Sequence, residues 1–168
     1  MKKLVSVLLI LFSIPLLAQN PGLPSQADLE NMAARFAPTE LKVDTSSLSA
    51  GDRKALVKLI QAARIMDDLQ LEQLWSSNHA LLEKLKKDRT PLGRTRLRYF
   101  WINKGPWSEL DEHRAFLPGV PEHRPEGGNF YPPDVGKEDL EKWMNSLPEA
   151  EKNAAQGFFT VVRRDVKG

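Results

Sequence analysis

The chemistry open to this sequence is limited by its three histidines and its lack of cysteine. His79, His113 and His123 are the candidate nitrogen ligands for zinc, but they form neither a His-Glu-x-x-His motif nor a pair four residues apart on a helix. The absence of cysteine excludes a thiol nucleophile, a thiolate metal site and a disulfide framework. We therefore predict no catalytic residue, no metal ligand and no cofactor bound by this chain.

Carboxylates gather around one of the histidines, in a stretch that contains Glu109, Asp111, Glu112 and His113. The stretch falls in a predicted loop, and its spacing fixes no geometry for proton transfer or metal binding. We interpret it as a solvated acidic turn. The Gly-x-Ser-x-Gly motif, the phosphate-binding loop and the dinucleotide fingerprint are all absent from the sequence.

The segment Gly127–Pro133 is the remaining candidate for ligand binding. Its glycines allow close approach of the backbone, and an asparagine beside aromatic side chains can hold a peptide or a small molecule. Asn129 and Tyr131 are the substrate-facing candidates. The preferred alternative is a structural turn that inserts Phe130 into a groove.

A run of basic residues with aromatic neighbours superficially resembles a nucleic-acid-binding surface. Its aromatic residues are Tyr99, Phe100 and Trp101, and its basic residues are Lys84, Lys86, Lys87, Arg89, Arg94, Arg96, Arg98 and Lys104. Net charge argues against that partner, since removal of Lys2 and Lys3 with a signal peptide leaves 22 Lys and Arg against 22 Asp and Glu. We expect aromatics facing the core, arginines paired with acids, and no nucleic-acid partner.

The N-terminus has the pattern of a bacterial secretory signal. Lys2 and Lys3 precede an apolar run from Leu4 to Leu17, and cleavage is expected after Ala18. The alternative is an uncleaved anchor, but the run is shorter than the roughly 20 residues that span a bilayer. We predict a signal peptide over residues 1–18, a linker over 19–25, a periplasmic or extracellular location, and no stable membrane anchor after cleavage.

Helix signals fill much of the chain between residues 26 and 104. A short helix is expected at 26–36, followed at 39–48 by an extended or loop stretch, with a short strand or a segment laid across a neighbour as the alternatives. Ser49 and Asp52 form a plausible capping pair for a half-buried amphipathic helix. Further helices are expected to start at Asp67-Asp68, at an Asn78 cap, and at Thr90-Pro91, the last ending near Lys104-Gly105.

The composition changes beyond this helical part. Residues 105–136 contain 5 glycines and 6 prolines, a density that excludes a long helix or a central strand. Helices return at 137–147 and 148–156, and the apolar run 158–162 is typical of a strand with no visible partner. These patterns predict a mainly α fold with a few short strands: a helical lobe over residues 26–168, incomplete, with a long Gly/Pro-rich loop and an unpaired C-terminal strand.

Three stretches of the sequence resemble the N-terminal part of exported bacterial proteins of the dipeptidyl-peptidase III family of zinc metallopeptidases. They are residues 90–107, residues 129–132 with the Lys-Glu-Asp-Leu helix that follows them, and residues 157–165. The resemblance spans roughly residues 30–165. It implies that the zinc-binding helix and the third zinc ligand lie downstream, in a separate lobe that faces this one across a cleft.

No residue of this sequence matches those ligands, so no catalytic or metal-binding role is carried over. Some relatives in the wider family are fused to Nudix domains, but the Glu-rich Nudix helix is also missing here. The resemblance implies a non-catalytic lobe whose partners are the downstream catalytic lobe of the same polypeptide and a peptide substrate. The alternative is a self-standing exported helical binding or interaction protein.

Overall fold

The computed structural model describes residues 22–166, so the predicted signal peptide lies outside the described part of the chain. The predicted fold class is confirmed: the described chain is mainly helical with one small sheet. Its elements in chain order are α1 (Gln26–Ala34), α2 (Ala50–Leu74), α3 (Asn78–Lys87), α4 (Pro91–Asn103), β1 (Trp107–Ser108), β2 (Arg114–Ala115), α5 (Lys137–Ser146) and α6 (Glu149–Ala155).

The core lies between α1, α3, α4 and the segment that follows β2. Tyr99 and Phe100 of α4 are fully buried, and Phe116 stacks edge-on against Tyr99 with 4.7 Å between ring centroids. The other buried apolar members are Leu29, Ala33, Leu71, Leu82, Leu85 and Leu117. Leu29 and Ala33 of α1 are four residues apart, and Leu82 and Leu85 of α3 are three apart. This spacing places each pair on one face of its helix, the face that packs into the core.

Helix α2 begins where predicted but differs from expectation in two ways. Ser49 and Asp52 form a reciprocal capping box. No new helix starts at Asp67-Asp68, because α2 continues through both residues to Leu74 and Asp67 pairs with Lys104 at 2.9 Å. The helix is also not half-buried, since Leu71 is its only buried residue.

The ends of α3 and α4 test two predicted caps. Thr90 caps α4 as predicted, accepting a hydrogen bond from the Gly93 amide at 3.0 Å, and Pro91 is its first residue. Lys104 ends the helix in the left-handed conformation. The cap predicted at Asn78 is wrong, because Asn78 is the first residue of α3 and its side chain bonds away from that helix.

Residues 105–136 form a long ordered loop with little regular structure, as predicted. Its only strands, β1 and β2, are two residues each and pair antiparallel, with Trp107 opposite Ala115. The Phe116 amide donates to the Pro106 carbonyl at 3.0 Å, which fixes the aromatic side chain in the core.

The predicted C-terminal strand is wrong, and at residues 39–48 the loop is confirmed and the alternative of a short strand is not. Residues 39–48 carry no strand, and Leu41 is 88% exposed. Residues 158–162 carry none either, because only the Val162 amide reaches another backbone segment, at the Phe130 carbonyl, and one such bond makes no ladder. No helix between residues 22 and 166 is long and apolar enough to cross a membrane.

Candidate functional site

The segment that carries Asn129 is attached to the C-terminal end of α2. The Asn129 amide donates to the Gln73 carbonyl at 2.7 Å, in the last turn of the helix, where carbonyls lack intrahelical partners. Gly128 makes this approach possible: its φ is +52°, and a Cβ atom there would lie 2.6 Å from the Gln73 oxygen. The sequence therefore places glycine where two backbones touch.

The same segment is held on its other side by the C-terminal residues. Arg163 donates to the Asn129 carbonyl at 2.8 Å and to its side-chain oxygen at 3.2 Å. The Val162 amide donates to the Phe130 carbonyl at 2.9 Å. Asn129 thus connects α2 to residues 162–163, a structural task that accounts for its position.

Tyr131 occupies a different position, at the wall of an open depression of about 510 Å³. Its lining combines polar loop residues such as Glu126 and Asp134 with apolar side chains, including Pro125, Pro132 and Leu140. A second depression of about 540 Å³ shares Leu140 and is bordered by Trp143 and Arg164. Asn129 lines neither depression, so the structure does not bring the two candidate residues into one pocket.

Sequence reasoning missed the two arginines that organise this region. Arg164 pairs with Asp134 at 2.7 Å, and this hydrogen bond holds the pKa of the Asp134 carboxyl below its ordinary value. Arg163 and Arg164 follow an apolar run, a pattern that we interpreted as the end of a strand. Their contacts are with residues 34 and 30 positions away, and such contacts leave no signal in the local sequence.

The predicted acidic turn is present with Glu109 and Glu112 exposed, but two of its carboxylates, Glu109 and Asp111, have arginine partners. Arg35 donates to both oxygens of Asp111, at 2.9 Å for the longer bond, and to the Tyr99 hydroxyl at 3.2 Å. The buried Ser108 hydroxyl bonds to Tyr99 and Asp111. The hydrogen bond from Arg35 lowers the pKa of Asp111 most, and the bond from Ser108 lowers it further. The hydrogen bond to Asp111 in turn raises the pKa of Arg35. The network ties α1 to α4 and to the loop.

This network predicts a pH-dependent contribution to stability. Because the folded state lowers the pKa of Asp111, its contribution is present above the ordinary aspartate pKa of about 3.9 and is lost as the pH falls through the folded value. Asp111→Asn should cost about 1–2 kcal/mol at pH 7, toward the low end for a charged partner because the side chain is 37% exposed. Urea unfolding at pH 7 and pH 2 measures it.

At pH 2 the difference between Asp111→Asn and wild type should be small. Asp139→Asn is the control, since that carboxylate lies on the exposed face of α5, 3.7 Å from Lys142. An Asp111→Asn cost that is equal at both pH values would contradict the ionic role of the network.

His113, together with Glu109 and Arg124, does not form a site that fits a zinc ion. His113 lies 3.4 Å from Glu109, but Arg124 contacts both, at 2.7 Å from Glu109 and 3.3 Å from the His113 Nε2 atom. That guanidinium places a positive charge beside the imidazole, which disfavours a metal cation there. Between residues 22 and 166 there is no group of three His, Asp or Glu side chains that could hold a metal ion.

The aromatic and basic side chains of α3 and α4 are only partly arranged as predicted. Tyr99 and Phe100 face the core, and Trp101 is partly exposed with the Lys104 ammonium 4.7 Å from its ring centroid. The expected pairing of arginines with acids fails at Arg94, which donates to the Arg89 carbonyl instead.

The chain is similar to two solved dipeptidyl-peptidase III structures and to one plant protein. No protein-family model matches the chain. Dipeptidyl-peptidase III from Corallococcus sp. strain EGB is 52% identical with a TM-score of 0.81, and the match covers 87% of this chain and 27% of that one. Dipeptidyl-peptidase III from Caldithrix abyssi is 40% identical with a TM-score of 0.75, covering 83% and 26%.

A plant protein gives a further match. Nudix hydrolase 3 from Arabidopsis thaliana is 39% identical over 164 residues, a match that covers 81% of this chain and 21% of that protein. The chain therefore spans about a fifth of this curated relative and about a quarter of the two solved chains. In sequence and in fold, it is similar to one part of dipeptidyl-peptidase III over most of its length.

Proposed function

We propose that this chain is the non-catalytic N-terminal lobe of an exported, zinc-dependent hydrolase similar to dipeptidyl-peptidase III. In this proposal the lobe contributes one wall of the substrate cleft, and the zinc ligands lie outside this sequence, in a downstream lobe of the same polypeptide. The observation that carries the proposal is the 52% identity to dipeptidyl-peptidase III over 87% of this chain but only 27% of the solved enzyme.

The geometry of the Gly127–Pro133 segment supports a passive role for the cleft wall. Asn129 is bonded through its backbone and its side chain to two other parts of the chain, so it supplies rigidity. Tyr131 borders the open depression and is the residue that could contact an extended peptide. His113 contacts Arg124 and Glu109, and the proposal assigns no chemical step to this lobe.

A chimera tests this proposal. The matched segment of Corallococcus dipeptidyl-peptidase III is replaced by residues 22–166 of this chain, and release of dipeptides from a chromogenic substrate is measured. We expect kcat/KM within about tenfold of the parent enzyme, since the fold is shared and the chemistry is supplied elsewhere; tenfold corresponds to about 1.4 kcal/mol of transition-state stabilisation.

The 168-residue chain alone provides the second arm of the test. It should hold no stoichiometric zinc and release no dipeptide. One tightly bound zinc per chain, with activity that chelation removes, would overturn the lobe assignment. A folded chimera without activity would do so as well.

A further inference from the structure

One face of α2 is apolar and lacks a partner within residues 22–166. Leu56, Leu59, Ile60, Ala63 and Met66 recur at the spacing that places side chains on one side of a helix. We call these five residues the α2 stripe. Leu59 is 66% exposed, and all five members are classed as exposed.

The contacts of α2 with the rest of the protein lie near its C-terminal end. Leu71 is buried, Asp67 pairs with Lys104, and Gln73 accepts from Asn129. The 25 residues of α2 span about 37 Å at 1.5 Å per residue, so the stripe lies on a part of the helix that extends away from the core.

A contiguous exposed apolar surface of this kind marks a site that another molecule, or another part of the same protein, covers. The four basic residues of α2 (Arg53, Lys54, Lys58 and Arg64) lie alongside the stripe with a single acid, Asp52, whereas Asp67, Asp68 and Glu72 lie beyond it toward the core. A covering surface that carries carboxylates complements this end of the helix.

We propose that the α2 stripe is the surface on which the remainder of a dipeptidyl-peptidase III-length polypeptide packs. This inference rests on the proposed function and names the interface that it requires. About three quarters of each solved dipeptidyl-peptidase III chain lies outside the match with this chain. That remainder supplies ample protein surface in the same polypeptide, where its effective concentration exceeds that of a second copy.

The helix itself offers a matched control. Leu59 and Ile60 belong to the stripe and are 66% and 47% exposed. Gln61 and Ile65 lie on the opposite side of the same helix and are also exposed. The stripe variant is therefore Leu59→Glu with Ile60→Glu, and the control is Gln61→Glu with Ile65→Glu. Both add two carboxylates to the surface of α2.

The two variants are made in the 168-residue chain and in the chimera with Corallococcus dipeptidyl-peptidase III, and melting temperatures are compared. In the isolated chain, the two variants should melt alike. In the chimera, the stripe variant should melt at least about 5 °C below the control, because it buries two charges in an interface that the control does not touch.

Three results would overturn this inference. Equal melting of the two variants in the chimera would show that the stripe stays in water. A dimeric 168-residue chain that only the stripe variant dissociates would assign the stripe to a second copy. A wild-type chimera that fails to fold would refute the proposed function and this inference together, whereas the first two results leave the proposed function intact.

Discussion

Replacing Gly128 with alanine should release the Asn129 segment from α2 and lower the opening free energy of the Asn129–Gln73 hydrogen bond by about 2–4 kcal/mol. Two physical costs add at this position. The backbone has a φ of +52°, which strains any residue with a Cβ atom, and that atom would lie 2.6 Å from the Gln73 carbonyl oxygen. Native-state exchange of the Asn129 amide measures the effect.

Two other glycines separate these costs. Gly119 has a φ of +75° with open space around it, so Gly119→Ala carries the strain without the collision. Gly136 has neither, since it caps α5 with extended backbone and open space. The loss in the free energy of unfolding on replacement with alanine should be largest at Gly128, smaller at Gly119 and smallest at Gly136. If Gly128→Ala and Gly119→Ala are equivalent, the close approach to Gln73 contributes nothing.

The helices were predictable from the sequence because their signals are local. Ser49 with Asp52 and Thr90 with Pro91 act within one turn, and the structure shows both caps. The continuity of α2 was missed because Asp67-Asp68 has the composition of a helix start, whereas both residues lie in the interior of α2.

Little of the site could be predicted, because its contacts join residues far apart in sequence. Asp111 was placed in a solvated turn, yet its partner Arg35 lies 76 residues earlier. The run 158–162 has strand propensity, but propensity cannot supply a partner strand. Glycines were recognised as permissive at 127–128, while the reason for Gly128, the Gln73 carbonyl, depends on the position of α2.

Asn78 tests most directly whether a residue acts through local signals or through distant contacts, because the sequence predicted it as a local helix cap. A cap at the start of α3 tolerates aspartate as well as asparagine, so Asn78→Asp would then be nearly neutral. In the structure Asn78 is fully buried, and its amide nitrogen donates to the Leu71 carbonyl at 2.9 Å and to the Lys104 carbonyl at 3.4 Å. One side chain therefore satisfies the ends of both α2 and α4.

Asn78→Asp should accordingly lower the free energy of unfolding by at least about 3 kcal/mol at pH 7. The substitution removes the donor to both carbonyls and places a buried negative charge against them. Asn145→Asp is the control: Asn145 is exposed, and its side-chain oxygen accepts from Lys152 at 2.8 Å, a role that a carboxylate keeps. Urea unfolding of both variants measures the difference. A loss at Asn78 no larger than at Asn145 would restore the simple capping role, and with it the view that α2, α3 and α4 meet without a polar link.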